Sequence, residues 1–250
     1  VFKKGNVLIG LGMLLVLASV SYFLVSLQAH AASPFDLVDE GGDEGVLLPI
    51  LVPAISAEAG EMAPTLPTDQ GPAVEAREAE GGASEQSLVP DRLVIPAIFL
   101  DAPILPVHYK DIEFGGEVYH QWRVPAEFAA GWQDGSAPPG MPGNTVLNGH
   151  HNAYGMVFKD LVKLNEGDLI LVHAGEVVFR YKVAAKLLLP ERGQTLETRM
   201  DNARWLAPSS DERLTLVTCW PANSNTHRVI LVAYPEGAWR VPTDLAPVGH

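Results

Sequence analysis

Hydrophobic residues fall into three regimes along this chain. The first is one unbroken run, Val7 to Leu27, with no charged residue. About 20 apolar residues at 1.5 Å each cross a bilayer, so the run predicts a transmembrane helix. The second regime, from about Ala29 to Ser87, is rich in Ala, Glu, Gly and Pro and holds no sustained period. Such a composition buries too little surface to offset ordering, which predicts a disordered linker. An apolar island, Val46 to Ile55 (VLLPILVPAI), interrupts it and leaves three readings open: docking on the folded domain, docking on a membrane surface, or a sticky patch of linker.

The third regime starts near Pro90 and consists of short β-branched runs between turn residues. Arg92 to Ile98 and Ala102 to Val107 read as strands with edge-type prolines, and Gln121 to Val124 as another. A Gly/Pro-rich loop, Gly131 to Gly143, precedes a buried strand at Asn144 to Leu147. Val157, Leu161 and Leu164 have helical spacing and predict a short helix over Tyr154 to Leu164. Asp168 to His173 and Val177 to Ala184 form a hairpin around Ala174-Gly175-Glu176, which Leu187 to Leu189 extends. Pro190 to Pro208 reads as a long loop with at most a helical turn. Arg213 to Tyr234 (RLTLVTCWPANSNTHRVILVAY) reads as strand, polar loop and strand. Many short strands with one or two short helices predict a mainly β fold, barrel or sandwich.

Charge sharpens the division. The chain carries −13, and twelve of its acidic residues with one Arg lie between His30 and Ser87. The remainder is nearly neutral, and no basic patch of the kind nucleic acids need is present. Lys3 and Lys4 precede the apolar run and the next charge after it is Asp36, so everything beyond Leu27 is expected outside the cytoplasm. Ala29-His30-Ala31 resembles a signal-peptide cleavage site, the rival to a retained anchor, although signal cores are shorter, about 7–15 residues. The expected organisation is a cytoplasmic stub and anchor over 1–28, an acidic linker over 29–88, a folded domain over 89–237 and a tail over 238–250.

One cysteine, Cys219, closes the first strand of the last pair, and Arg228 opens the second. A thiol near a fixed positive charge is favoured as the nucleophilic thiolate. The alternative is a buried small hydrophobe, a common fate of free cysteine. A cysteine nucleophile wants a base and an oxyanion donor. Among eight histidines, His150 and His151 follow a buried strand and Gly149 at a sheet rim. A zinc site of His150, His151 and Cys219 lacks the His-x-x-x-His or Cys-x-x-Cys spacing of strong sites, so no metal or cofactor is expected.

Thr215-Leu216-Val217-Thr218-Cys219, with an Arg nine residues on, resembles the signature of the sortases, the cell-surface cysteine transpeptidases of bacteria. Leu93-Val94-Ile95-Pro96, Asn144 to His150, Val157 to Leu161 and Glu166-Gly167-Asp168 extend the resemblance over about Pro90 to Pro235. The resemblance implies a closed β-barrel with the site on its rim. It implies Cys219 as nucleophile, His150 as general acid/base and Arg228 as the group that holds substrate and supports the oxyanion. His151 is the alternative base, and His227 is expected to be peripheral. Thr218 and Trp220 are candidates to touch substrate, with strand fitting and packing as the alternatives. The implied reaction cleaves a Leu-Pro-x-Thr-Gly-type sorting signal through a thioacyl enzyme and passes it to an amine. The implied partners are sorting-signal-bearing surface proteins and an acceptor such as a cell-wall precursor or a pilin lysine. The rivals are a hydrolysing cysteine peptidase and a non-catalytic surface domain on such a barrel.

Overall fold

The computed structural model describes residues 47–53, 62–66, 88–114 and 117–240. The expected membrane helix over Val7 to Leu27 lies outside them. Among the described residues no helix is long and apolar enough to cross a membrane. In chain order the strands are β1 (Leu47–Pro53), β2 (Arg92–Ile95), β3 (Leu100–Val107), β4 (Tyr109–Phe114), β5 (Glu117–Arg123) and β6 (Ala130–Gln133). They continue with β7 (Gly143–Asn148), β8 (Leu169–Ala174), β9 (Val177–Pro190), β10 (Glu212–Trp220) and β11 (His227–Arg240), and among the described residues there is one α-helix, α1 (Leu196–Ala203).

Eight strands close a barrel in the order β10-β11-β9-β8-β2-β3-β6-β7, and β1-β5-β4 form a separate three-stranded sheet. The expected mainly β fold is thus a closed barrel. Neighbours pair antiparallel except β3 with β6 and β7 with β10. The parallel β7–β10 pair places the carboxyl ends of two buried strands side by side, and the site is built there.

Side chains alternate across a strand, and the two faces of β10 and β11 have different tasks. Leu214, Leu216, Val229, Leu231 and Ala233 point into the barrel with Leu93, Ile95, Leu147, Phe158, Ile170 and Tyr181. Val217, Ile230 and Val232 point outward and pack with Val146, Val124, Ala203 and Leu206 in a smaller cluster. Each fully buried aliphatic side chain contributes about 1.5–3 kcal/mol. The large interior cluster therefore carries the fold, and the outer face needs only a thin cover. Part of that cover is α1, capped by Thr195, whose hydroxyl accepts from the Thr198 amide at 3.2 Å. A buried ion pair anchors the helix: Arg199 Nε donates to Glu191 Oε1 at 2.9 Å. Asn202 Nδ2 donates to Glu191 Oε2 and to the Pro190 carbonyl.

Several expectations change here. Residues 154–164 form no α-helix. Tyr154, Gly155 and Met156 all take positive φ (47°, 82° and 54°), which ends any helical path, and only a 3-10 turn forms at Leu161–Lys163. The helical spacing of Val157, Leu161 and Leu164 is real, but it serves to bury these residues from consecutive turns. The Gly/Pro-rich loop contains a strand, β6, where Gly131 and Trp132 pair with Asn148 and Leu147. The β4–β5 hairpin was not expected in full, and β11 runs to Arg240, into the stretch expected as tail. Two stretches of the expected linker are among the described residues and take a defined path, while the rest of that expectation lies outside them. Residues 47–53 pair along β5, so the apolar island joins the folded domain. At 62–66, the Ala63 amide donates to the Pro208 carbonyl at 2.8 Å, and buried Arg213 donates to the Pro64 carbonyl at 2.8 Å.

Candidate active site

Cys219 and Arg228 are directly opposed across the β10–β11 ladder. Opposed residues in an antiparallel pair project to the same face. That face is the outer one, because the next pair inward on the same side is Val217 with Ile230, both members of the outer cluster. Thiol and guanidinium therefore sit just beyond the end of a small apolar floor, outside the barrel.

His150 arrives from the other side. Asn148 of β7 is level with Val217 of β10, and the Gly149 amide still donates to the Val217 carbonyl at 3.2 Å. Continuing this parallel register by two residues brings His150 alongside Cys219. Gly149 is required by close approach: a Cβ there would lie 2.6 Å from Phe158 and 2.7 Å from Val157. With glycine the chain lies close against the barrel core, and the Phe158 amide donates to the His150 carbonyl at 2.9 Å. His150 is 7% exposed, and its ring centroid lies 5.0 Å from that of Tyr154. Asn152 Nδ2 donates to the Ala222 carbonyl, tying the histidine loop to the loop after Cys219.

Arg228 is 2% exposed. Its Nη1 donates to the carbonyls of Asn225 (3.2 Å) and His227 (3.0 Å), both just before it in the chain. Its Nε is buried with no hydrogen-bond partner among the described residues. A buried unsatisfied donor costs about 1–3 kcal/mol, more when charged, so it is tolerated where a ligand acceptor completes it. The loop that holds Arg228 is itself pinned: Asn225 takes φ 51°, and its amide donates to the Pro221 carbonyl at 2.9 Å. The peptide bond between Trp220 and Pro221 is cis.

The structure brings together Cys219, Arg228 and His150 and leaves Thr218 and Trp220 apart from them. Both of the latter alternate to the inner face of β10. Trp220 is half-buried against the barrel core, with its ring edge-on to His227 at 6.0 Å. Thr218 is wholly buried, and its hydroxyl donates to the Gly149 carbonyl at 2.7 Å. Both therefore stand on the face of β10 opposite to Cys219. Thr218 bridges the cysteine strand to the backbone just before His150. His151 is also buried, with Nδ1 unpartnered. His227 opens β11 on the inner face, with Nδ1 2.9 Å from the Thr226 hydroxyl.

Sequence reading missed the loop that follows His150. Non-glycine residues in the left-handed region cost on the order of 1–3 kcal/mol each and persist where surroundings over-determine them. Here Tyr154 and Met156 flank Gly155 in that region and remain exposed, 48% and 43%. A Tyr-Gly pair four residues beyond a histidine was the available signal.

The family model described as "Sortase domain" matches residues 93–236, more than half of the chain. The curated protein "Sortase SrtE1" of Streptomyces coelicolor is 31% identical over 96 residues, covering 38% of this chain and 27% of that protein. The match thus spans about a quarter of that relative's length. Among solved structures, sortase E1 from Streptomyces coelicolor with a tripeptide in its active site is 24% identical, covers 62% of this chain and 95% of its own, and has a TM-score of 0.45. Sortase A of Listeria monocytogenes is 21% identical, with 62% and 92% covered and a TM-score of 0.45.

Proposed function

The chain belongs to the sortase family, and from that premise we propose that it is a membrane-anchored cysteine transpeptidase working outside the cytoplasmic membrane. The observation that carries this reading is the cross-strand pair of Cys219 and Arg228 on the outer face, with the buried Nε of Arg228 unspent.

The proposed chemistry has two balanced steps. The Cys219 thiolate attacks the backbone carbonyl that ends the Leu-Pro-x-Thr part of a sorting signal, so a C–S bond forms. Negative charge gathers on the carbonyl oxygen, and Arg228 offers a fixed donor and a positive charge to it. The C–N bond then breaks, and His150 gives its proton to the departing amine. In the second step an acceptor amine attacks the thioester and passes a proton to His150. A C–N bond forms, and the C–S bond breaks to restore the thiolate. The acyl donors on this reading are sorting-signal-bearing surface proteins, and the acceptor is a cell-wall precursor or a pilin lysine. Arg228 suits its role because it is buried and held by two backbone carbonyls. It needs no reorganisation as charge develops, which is where most such stabilisation originates.

The test incubates the full chain with a Leu-Pro-x-Thr-Gly-type peptide library, with and without an amine acceptor, and follows products by mass spectrometry. Acyl–amine products that disappear in Cys219→Ala are expected. Cleavage without transfer in excess amine would replace this reading with a hydrolase. No reaction, together with a thiol inert to alkylation in the folded protein, would replace it with a structural domain.

A further inference from the structure

Two walls flank the apolar floor of the outer face. One is the end of β5. Val124, the residue after it, packs in the outer cluster, and the Arg123 carbonyl accepts from Asn148 Nδ2 at 2.9 Å. Asn148 shares the outer face with Val146 and lies two residues before His150, so this end of β5 marks the site end of the floor. The other wall is α1, whose Ala203 packs in the same cluster. The backbone of β1 runs between the two walls: it pairs antiparallel with β5 and lies beside α1. Leu47 is opposite Arg123, while Leu51, Val52 and Pro53 are opposite Gln121, His120 and Tyr119. β1 therefore starts at the site end and runs away from it.

Resting on the transpeptidase reading above, we propose that β1 is a built-in competitor of the acyl donor. It holds the slot between β5 and α1 that the donor's extended chain takes on its way to Cys219, and a donor engages by displacing it. Chain direction is the first support. The part of a donor that stays on the thiol lies on the amino side of the scissile bond, so its chain runs toward the site. β1 runs the other way and covers the slot without delivering a carbonyl to Cys219. The slot itself is the second support. Without β1, β5 presents an edge of unpaired N–H and C=O groups beside a helix, an arrangement that takes up an extended peptide as an added strand. The third support is how loosely β1 is held. Its register shifts between Leu47 and Leu51, and Pro49, inside that shift, has no N–H to give. The β10–β11 ladder, by contrast, runs from Leu214 to Trp220 without a shift. A strand with a broken ladder yields to a competing chain before one with a continuous ladder.

The experiment uses the full chain as parent and a double variant, Leu51→Pro with Val52→Pro. In an antiparallel ladder every second residue exchanges bonds with its partner, so two consecutive prolines remove a ladder donor from β1 in either phase. Ala76→Pro with Arg77→Pro, elsewhere in the acidic stretch, serves as control. A slot covered nine-tenths of the time weakens donor binding about tenfold. The double variant is therefore expected to lower KM for a Leu-Pro-x-Thr-Gly-type peptide by about tenfold with kcat within about twofold, and the control to behave as the parent. A synthetic peptide of residues 43–56 is expected to raise the double variant's KM back toward the parent's. Alkylation of Cys219 by iodoacetamide, which needs no slot, is expected to keep its rate within about twofold. A second measurement does not depend on the prolines: in Cys219→Ala, saturating donor peptide is expected to speed amide hydrogen exchange over residues 47–53 at least threefold. An unchanged KM in a folded double variant, or unchanged exchange over 47–53, overturns the competitor. No Cys219-dependent acyl product from parent or variant overturns the transpeptidase reading and this inference with it, a result distinct from an active enzyme indifferent to β1.

Discussion

Thr218 and Arg228 show what single residues contribute at this site. The Thr218 hydroxyl reaches the Gly149 carbonyl, so it acts on His150 only through the backbone. Thr218→Val keeps the shape and removes the donor. It is expected to lower kcat about tenfold with little change in peptide KM, while Thr218→Ser restores most of the rate; steady-state kinetics on the three proteins checks this. A loss confined to thermal stability would reduce Thr218 to packing. Arg228→Lys keeps the charge but not the guanidinium, whose Nη1 holds two carbonyls while Nε stays free. Arginine and lysine are not equivalent in such a place, and acylation is expected to slow by about a hundredfold or more, read as single-turnover thioacyl formation. Cys219 and Arg228 were legible because the chain has a single cysteine and because two β-branched runs flank it. Adjacency to Cys219 makes Thr218 and Trp220 candidates to touch substrate, and the period-two alternation turns both to the opposite face of the strand.

At the scale of elements, α1 is the piece whose attachment rests on a buried charge. Glu191 and Arg199 are 1% and 2% exposed, and removing one partner of such a pair costs about 3–5 kcal/mol because the other is left stranded. Glu191→Ala is expected to lower stability by that order in urea unfolding, and Glu191→Leu with Arg199→Met to recover much of it. A loss below about 1 kcal/mol would mean that the pair is solvated. The hairpin of β8 and β9, the strands at β7 and β10, and the start of β11 were readable from local pattern. The residues 154–164 were not, because apolar spacing reports which side chains are buried and not which backbone buries them. Three positive φ values decide that question, and beyond the glycine of the Tyr154-Gly155 pair the sequence does not announce them. The strand β6 was hidden by glycines and prolines around four residues, and β1 by an acidic linker on either side.

For the whole molecule, pH dependence is set in part at the barrel end opposite the site. The carboxylate of Glu212 accepts from the Tyr181 hydroxyl at 2.9 Å and from the Gly140 amide at 3.1 Å. Burial pushes its pKa up, and these two hydrogen bonds offset only part of that. Tyr181 is pushed up as well, by burial and then by the Glu212 charge, and stays a neutral donor. A carboxyl whose folded pKa lies above its unfolded value favours folding fully at pH below about 4.3, the ordinary glutamate value. That contribution is lost as pH rises through the folded pKa. Glu212→Gln keeps an acceptor and removes the titration. Its Tm relative to the parent is therefore expected to rise from pH 4 to pH 8 and then level off, and a pH-independent difference would remove Glu212 from the account. The same end of the barrel has a mechanical consequence. β2 begins there and runs toward the site, while β10 delivers Cys219 at the opposite end. Under the proposal that Cys219 carries a cargo as a thioester, tension between that cargo and Arg92 would be directed along the strands. Ladder hydrogen bonds lie across that direction, so they would be sheared together and not peeled one at a time.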